Sequence, residues 1–278
     1  MNFVDKRDGV TIAEDTTAVA RDSQLVVVYW NVAGIPKPAI NQFLLDLEGE
    51  VMWDILILLE FSWALSEPHL SGLTSNGHLV KAQPYGKGRR AGAIIAHNRL
   101  KIRNMELCSQ GRAFSCDFSW GGWNIRVIGG HADAGGDHRP YQRSMDDIEF
   151  LVDSTPRDHI VILGIDTQTP LGPQTAYDNH NLIGEFVMGN RGWKGDKVMT
   201  LLGSYDFHLP HTFVQGFDKL FTGTNNGKHE PKQMDYMATT APKKWITKAD
   251  RGVYDSTTSD HFPLVLTLIA KDTLKKEK

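Results

Sequence analysis

The fold of this chain is constrained most by two apolar runs near its beginning, which are joined by a helical pattern. The runs cover residues 25–31 and 54–60, and they end in the polar residues Asn31 and Glu60. Continuous apolar runs of this length are typical of strands that are buried on both faces of a sheet. Between them, apolar residues recur at helical spacing over residues 40–47. This order predicts a parallel pair of strands, so we expect Asn31 and Glu60 at one edge of the sheet.

The rest of the chain continues the alternation of strands and helices. Helical patterns follow at residues 141–152 and 198–205, separated by a loop rich in glycine, proline and asparagine. Further strands are predicted at residues 93–96, 113–118, 123–128, 159–164, 211–214, 233–238 and 264–268. These elements predict an α/β (α+β) fold of two stacked sheets with helices outside. We assign residues 23–270 to a single domain, residues 1–22 to a loosely ordered leader, and residues 271–278 to a Lys-rich solvated tail.

Composition narrows the classes of function that the chain can have. The 278 residues carry a formal net charge of −3, which argues against indiscriminate binding to nucleic acid. No apolar run is long enough to cross a bilayer and no secretory signal is evident, so we expect no membrane association. The two cysteines, Cys108 and Cys116, indicate reduced thiols of an intracellular protein, nuclear or cytoplasmic, with a hairpin disulfide as the alternative. We expect the protein to be monomeric.

One strand after another ends in a polar side chain. These residues are Asn31, Glu60, His131, Asp166, Asp235 and the pair Asp260 and His261. Each has a structural explanation when taken singly, because asparagine ends many turns and a buried carboxylate is often held in a salt bridge. Taken together, they combine oxygen ligands that suit Mg²⁺ with histidines beside acids that suit proton transfer. Phosphodiester hydrolysis needs this combination: a metal for the charge on phosphorus, a base for water and an acid for the leaving oxygen.

Six short motifs occur in the order and approximate spacing of the endonuclease/exonuclease/phosphatase superfamily. They are Trp30-Asn31-Val32, Leu58-Leu59-Glu60, Gly130-His131, Leu163-Gly164-Ile165-Asp166-Thr167-Gln168, Gln233-Met234-Asp235-Tyr236-Met237 and Ser259-Asp260-His261. The resemblance extends over residues 25–268. The chain most resembles the apurinic-type endonuclease domains of non-LTR (LINE-like) retrotransposons, through residues 189–214 and 232–236. The resemblance implies a DNase I-like fold, a four-layer α/β-sandwich of two stacked mixed β-sheets flanked by helices.

The resemblance also implies a Mg²⁺-dependent phosphodiester hydrolase that acts on DNA, with Mn²⁺ as a substitute ion. By position, Glu60 would ligate the ion, and Asp260 would support the metal side of the cleft. Asn31 would bond the metal shell or the phosphate of the substrate. His261 would act as a general base or as a phosphate contact, and Asp235 would orient its ring.

Four further positions carry roles that the resemblance implies. Asp166 would position the attacking water or assist the leaving group. His131 occupies the place of a phosphate-binding histidine, and Tyr141 lies roughly where apurinic endonucleases have an active-site tyrosine. Gln168 stands where the family has asparagine, and we assign its amide to substrate binding.

Three positions depart from the family pattern. Ile165 replaces a glycine, Gln168 replaces an asparagine, and Ala33 stands where some apurinic endonucleases have an aspartate on the metal side. These departures motivate one alternative, a catalytically decayed domain that binds nucleic acid without cleaving it. A second alternative to a DNA endonuclease is a phosphoesterase of the same fold that acts on RNA, phosphoinositides or small phosphate esters.

Positive charge is concentrated in the segment from Lys81 to Arg103, which has seven lysines and arginines and no acidic residue. Lys87, Arg89 and Arg90 lie together in a glycine-containing loop of this segment. Such segregation predicts contact with a phosphate backbone, and we assign Arg89 and Arg90 to the binding of nucleic acid. A solvated basic hairpin without a partner is the structural alternative.

Overall fold

The computed structural model describes most of the chain between the two predicted end segments. It covers residues 23–33, 40–50, 52–62, 70–73, 79–84, 90–97, 99–100, 102–108, 112–175, 178, 181–214, 222–223, 232–252 and 259–270. Within residues 61–91 it describes the backbone alone. The predicted leader, residues 1–22, and the predicted tail, residues 271–278, lie outside these ranges.

Twelve strands, four α-helices and one short 3₁₀-helix make up the described part of the chain. In chain order they are β1 (Gln24–Asn31), α1 (Ile40–Glu50), β2 (Ile55–Ser62), β3 (Leu70–Leu73), β4 (Leu79–Pro84), β5 (Arg90–Ala96), β6 (Arg103–Leu107), β7 (Ala113–Trp120), β8 (Trp123–His131), α2 (His138–Asp153), β9 (His159–Asp166), α3 (Trp193–Ser204), α4 (His211–Val214), β10 (Asp235–Thr239), the 3₁₀-helix (Lys243–Trp245), β11 (Ile246–Arg251) and β12 (Leu264–Ile269).

The strands form two mixed sheets. The seven-stranded sheet has the order β11-β12-β1-β2-β5-β4-β3, and the five-stranded sheet has the order β10-β9-β8-β7-β6. One pair in each sheet is parallel, β1 with β2 and β8 with β9, and the other described pairs are antiparallel. The parallel pairing of β1 and β2 is the one that the strand, helix and strand pattern predicts.

The two sheets stack face to face with helices on their outer faces. Successive side chains of a strand point to opposite faces of its sheet, so neighbouring residues of β1 pack into different layers. Tyr29 faces the apolar core between the sheets, together with Phe114 of β7. Trp30 faces outward and packs against Phe43 of α1, with ring centroids 5.2 Å apart. Helices α2 and α3 cover the outer face of the five-stranded sheet. The predicted four-layer α/β-sandwich is therefore confirmed.

A close approach between the sheets depends on Gly164 in β9. A Cβ atom at this position would lie 2.3 Å from Cδ2 of Tyr29, far inside van der Waals contact. The missing side chain lets the Tyr29 ring lie across β9 and reach the neighbouring strand β10. Gly164 is thus required by packing between the sheets.

Two details of the predicted elements differ from the structure. Residues 211–214 form the helical turn α4 instead of a strand. The cause is local, because the hydroxyl and backbone N–H of Thr212 both donate to the carbonyl of Leu209, which closes a turn. The predicted run of antiparallel strands in the middle of the chain is divided, with β5 in the seven-stranded sheet and β7 and β8 in the five-stranded one. Among the described residues, no helix is both long enough and apolar enough to span a membrane.

A buried ion pair ties the five-stranded sheet to α2. Arg126 of β8 donates from Nε and Nη2 to the two carboxylate oxygens of Asp117 in β7, at 2.7 and 3.0 Å. Its Nη1 bonds the carbonyl of Leu151 in α2 at 3.3 Å and lies 3.1 Å from Oε2 of Glu106. Arg126 and Asp117 are both buried, so removal of one partner would leave the other charge uncompensated.

We expect Arg126→Met to lower the free energy of unfolding by about 3–5 kcal/mol, because Asp117 would stay buried without its counter-ion. Urea denaturation followed by circular dichroism measures this loss. Arg103→Met is the matched control, since Arg103 is exposed and bonds the side chain of Ser119 at 2.7 Å. The control should change stability by less than about 0.5 kcal/mol. Equal losses in the two variants would contradict the assignment.

Candidate active site

Three titratable side chains lie in one row of the five-stranded sheet, where β8 and β9 end and β10 begins. His131 lies opposite Asp166 in the parallel pair of β8 and β9, and Asp166 lies opposite Asp235 in the antiparallel pair of β9 and β10. Residues opposite each other in neighbouring strands project from the same face of a sheet. All three side chains are buried. The register of the sheet therefore brings one imidazole and two carboxylates together.

Glu60 reaches this row from the seven-stranded sheet through irregular backbone. The register of β2 with β5 shifts between Leu58 and Phe61, and Glu60 has a positive φ of 53°. A non-glycine residue in this conformation costs of order 1–3 kcal/mol, and such strain clusters at functional sites. The Glu60 carboxylate is buried, and its Oε1 lies 3.1 Å from Nε2 of His131.

Two amide side chains hold the Asp166 carboxylate. Asn31, the last residue of β1, donates from Nδ2 to Asp166 Oδ2 at 2.9 Å. Its Oδ1 accepts the N–H of Ala33 at 3.0 Å, so Asn31 serves a turn as well as the cluster. Gln168 donates from its backbone N to Asp166 Oδ1 at 2.9 Å and from Nε2 to Oδ2 at 2.6 Å. Burial, reinforced by the charge of Asp235, raises the pKa of Asp166.

His261 and Asp235 form a hydrogen-bonded pair of histidine and acid. Nδ1 of His261 lies 2.7 Å from Oδ2 of Asp235. Burial alone lowers the pKa of His261, but the charge and hydrogen bond of Asp235, helped by Asp166 and Asp260, outweigh burial and raise the pKa to about 10. The ring therefore carries a proton near neutral pH. Trp30 anchors the backbone here, because its Nε1 donates to the carbonyl of His261 at 2.8 Å.

Tyr29 completes the surroundings of Asp235. Its hydroxyl donates to Oδ1 of Asp235 at 2.8 Å, while Oδ2 of the same carboxylate faces His261. The Tyr29 ring is buried in the core between the sheets. The sequence does not predict this role, because a tyrosine inside an apolar strand is typical of a core residue. The one available signal is chemical, since a buried tyrosine hydroxyl usually finds a hydrogen-bond partner.

His131 is held in a different electrostatic environment from His261. Burial lowers the pKa of His131; the charge of Asp166 opposes this, and the charge of Arg112 reinforces it. Burial therefore favours the neutral form of the His131 ring. Arg112 itself pairs with Asp133, with Nη2 2.9 Å from Oδ2. Nothing around Arg112 in the sequence predicts this effect on His131.

Two predicted site residues, Tyr141 and Asp260, lie beside the cluster. The buried hydroxyl of Tyr141 donates to the carbonyl of Thr167 at 3.1 Å, and burial raises the pKa of Tyr141. Tyr141 thus fixes the backbone that follows Asp166. Asp260 Oδ1 lies 3.7 Å from Nε2 of His261, but in the described part of the chain Asp260 belongs to neither cluster of potential metal ligands. The catalytic role of Tyr141 and the metal-side role of Asp260 remain predictions.

Two arginines of the basic segment bond other side chains of the protein, away from the cluster. Arg99 bonds the buried carboxylate of Asp54, with Nη2 2.6 Å from Oδ1, at the end of β2 opposite to Glu60. Arg103 bonds Ser119, near the far end of β7. Arg99 and Arg103 therefore bond other side chains of the protein, and the contact of this segment with a phosphate backbone stays a prediction. The physical reason for Arg99 is that a buried carboxylate such as Asp54 requires a counter-charge.

The two arginines assigned to substrate binding have different outcomes. Arg90 begins β5 and lies opposite Ser62 in the register of the sheet, two positions beyond Glu60. The backbone of Arg90 therefore lies at the same end of β2 as Glu60. Arg89 and the neighbouring Lys87 lie outside the described residues. The assignment of Arg89 and Arg90 to substrate binding remains a prediction.

The charges and donors of the cluster fit a divalent cation. Potential ligand atoms lie within 4.8 Å of one another in two overlapping groups. The groups are Glu60, His131 and Asp166, and Asp166, Asp235 and His261. These groups combine three buried carboxylates with two imidazoles. Carboxylate oxygens suit hard divalent ions, and buried carboxylates are commonly paired or coordinate a metal.

No family model matches this chain, and no curated protein matches it. Solved structures do match, at low sequence identity. The 3′-5′ exonuclease NExo from Neisseria meningitidis has 14% identity and a TM-score of 0.66, covering 88% of this chain and 100% of that one. TDP2 from D. rerio, solved with a single-strand DNA product, has 16% identity and a TM-score of 0.60, covering 88% and 99%.

The endonuclease domain of TRAS1, a telomere-specific non-LTR retrotransposon, is a third match. It has 15% identity and a TM-score of 0.57, and the alignment covers 88% of this chain and 98% of that domain. Because identity is this low, these likenesses concern the fold. The chain has the DNase I-like fold of the endonuclease/exonuclease/phosphatase proteins, and the predicted resemblance is confirmed at that level.

Proposed function

We propose that this chain is a divalent-metal-dependent phosphodiester hydrolase that cuts DNA as an endonuclease. The observation that carries the proposal is the meeting of three buried carboxylates and two histidines at one edge of the sandwich. The fold supports it, because matching structures include an endonuclease domain and a protein solved with a DNA product. The six sequence motifs contain these five residues, in the order in which the superfamily pattern has them.

Glu60 and Asp166 are the carboxylates that we propose as ligands of Mg²⁺, with Mn²⁺ as a substitute. An ion held there would neutralise charge on the phosphate oxygens and make bound water more acidic. Asn31 and Gln168 keep Asp166 in place through hydrogen bonds of 2.9 and 2.6 Å to its Oδ2. Gln168 therefore keeps the amide contact in spite of its extra methylene, which favours an active site over a decayed one.

His261 has two roles that its geometry allows. The hydrogen bond from Nδ1 to Asp235 fixes the ring and leaves Nε2 for the substrate or water. As an imidazolium, the ring would donate a proton from Nε2 to a phosphate oxygen; after losing that proton, it could take one from water. The raised pKa of His261, about 10, favours the phosphate contact. Asp166 would then orient the attacking water.

A nicking assay on supercoiled plasmid with Mg²⁺ tests the proposal. We expect Glu60→Gln and His261→Gln to lower the rate by at least about 10²-fold, because each removes one group that acts on the phosphate or on water. His159→Gln is the matched control, since His159 begins β9 at the end opposite to Asp166. Full activity in both site variants would rule out this active site.

The substrate class is tested by comparing the rates at which the protein hydrolyses different phosphoesters. Plasmid, a duplex with an abasic site, poly(A) and inositol phosphates can be compared with the wild-type chain. Turnover of one of the last two in preference to DNA would replace the endonuclease proposal with one of the alternative phosphoesterases. DNA binding without cleavage of any substrate, in Mg²⁺ or Mn²⁺, would identify a decayed binding domain.

Tyr29→Phe tests whether the hydroxyl on Asp235 serves the reaction. The change keeps the ring over Gly164 and removes the donor that holds Oδ1 of Asp235. We expect kcat to fall about tenfold with KM nearly unchanged, because partners that orient an acting group typically contribute 10–100-fold.

Tyr236→Phe is the control for this substitution. Tyr236 is also buried, and its hydroxyl donates to the carbonyl of Gln233 and accepts the N–H of Leu171, both at 3.0 Å. It should lower thermal stability to a similar extent and leave kcat unchanged. Equal kcat values for the two variants and the wild type would show that the Tyr29 hydroxyl is structural only.

A further inference from the structure

One nitrogen of His131 faces three polar groups at short range. Its Nε2 lies 3.1 Å from Glu60 Oε1, 3.7 Å from Asp166 Oδ2 and 3.2 Å from Nε2 of Gln168. The Gln168 amide cannot simply turn over, because its Nε2 donates to Asp166 Oδ2 at 2.6 Å. Two acceptors and one amide donor therefore converge on a single ring nitrogen.

No protonation state of the His131 ring satisfies all three neighbours. An imidazole carries a proton on Nε2, on Nδ1 or on both nitrogens. With a proton on Nε2, in either the neutral or the charged ring, the ring N–H would meet the NH₂ group of Gln168. With the proton on Nδ1, the lone pair of Nε2 would face the carboxylates of Glu60 and Asp166. A cation between the three ligand atoms removes the conflict, because the lone pair and both oxygens would then face positive charge.

We infer that His131 is a nitrogen ligand of the divalent ion, together with Glu60 and Asp166, and that the site therefore prefers Mn²⁺ to Mg²⁺. Imidazole suits first-row transition ions, whereas Mg²⁺ is held mainly by oxygen. The inference rests on the proposed function in taking this cluster to be a metal site. It replaces the phosphate-binding role that the resemblance implies for His131, and it reverses the order of Mg²⁺ and Mn²⁺ that the proposed function takes from that resemblance.

The distances agree with coordination by one ion. Ligands at adjacent corners of an octahedron are roughly 3.0 Å apart when each lies about 2.1 Å from the ion. The separations from His131 Nε2 are 3.1 Å to Glu60 and 3.7 Å to Asp166, so small side-chain movements would suffice. The backbone already sets these positions, through the pairing of His131 with Asp166 and the positive φ of Glu60.

The second histidine of the site is less suited to be a ligand. His261 shares a cluster with Asp166 and Asp235, but its Nδ1 is hydrogen-bonded to Asp235 at 2.7 Å. Its Nε2 lies 3.7 Å from Asp260, at the edge of the cluster. The structure thus separates the two histidines, with His131 among the metal-binding carboxylates and His261 on its own acid.

Binding of Mn²⁺ to the full chain, stripped of metal by a chelator, tests the inference without any substrate. Electron spin-echo envelope modulation on the Mn²⁺-loaded protein should show a ¹⁴N coupling from a directly bound imidazole. We expect the coupling to vanish in His131→Gln and to persist in His261→Gln. Calorimetric titration should show Mn²⁺ binding at least about tenfold tighter than Mg²⁺, with the ratio falling towards one in His131→Gln.

The outcomes separate this inference from the proposed function. Absence of a ¹⁴N coupling in the wild-type protein, or its loss in His261→Gln alone, would overturn the role of His131. In that case His131 and Glu60 would be a hydrogen-bonded pair, and activity in the nicking assay would be unaffected by the result. Conversely, a wild-type chain that binds Mn²⁺ through His131 but cleaves no substrate would refute the proposed function alone. His131→Asn replaces His131→Gln if the latter fails to fold.

Discussion

The candidate site depends on three consecutive side chains at the end of β1, each of which donates one hydrogen bond to a different part of it. The bonds join Tyr29 to the Asp235 carboxylate, Trp30 to the His261 carbonyl and Asn31 to the Asp166 carboxylate. Because alternate residues of a strand point to opposite faces, Tyr29 acts from the core between the sheets and Trp30 from the outer face. One strand of the seven-stranded sheet therefore sets the position of both acids in the five-stranded sheet, and a shift of β1 by one residue would disconnect all three bonds.

The hydrogen bonds that Asn31, Gln168 and Tyr29 make to the carboxylates of the cluster add no positive charge. Asn31, Gln168 and Tyr29 are neutral donors, so they lower the cost of burying the carboxylates without cancelling a negative charge. The pair of Arg126 and Asp117 in the same five-stranded sheet shows the other solution, in which a guanidinium balances a carboxylate directly. The amides that hold Asp166 leave its charge available to an external cation, and we regard this difference from Asp117 as the physical basis of the proposed metal site.

The sequence predicts the positions of the strand-end residues well, because the alternation of apolar runs and polar ends is a local pattern. Asn31 illustrates what such a pattern leaves open. Its side chain makes the turn contact with Ala33 that is usual for asparagine, and it also bonds Asp166, which lies in another sheet. The strand expected at residues 211–214 is wrong for a local reason, because a side-chain hydrogen bond of Thr212 closes a turn there. Contacts between distant parts of the chain, such as that of Tyr29 with Asp235, have no signature in a single sequence.

Basic residues show that the fold, and not the local sequence, decides which acid a basic side chain meets. Arg99 belongs to the most basic segment of the chain, yet it is committed to Asp54, because that carboxylate is buried at the far end of β2. Arg112 lies outside the segment, yet its charge acts on His131 in the cluster. Whether a basic side chain is available to a substrate depends on which acidic side chains lie around that residue in the folded protein. The two ends of β2 differ in their surroundings: Asp54 at one end bonds Arg99, whereas Glu60 at the other lies beside the imidazole of His131. The carboxylates and imidazoles at the Glu60 end are the groups that we propose to hold an ion and to contact a phosphate.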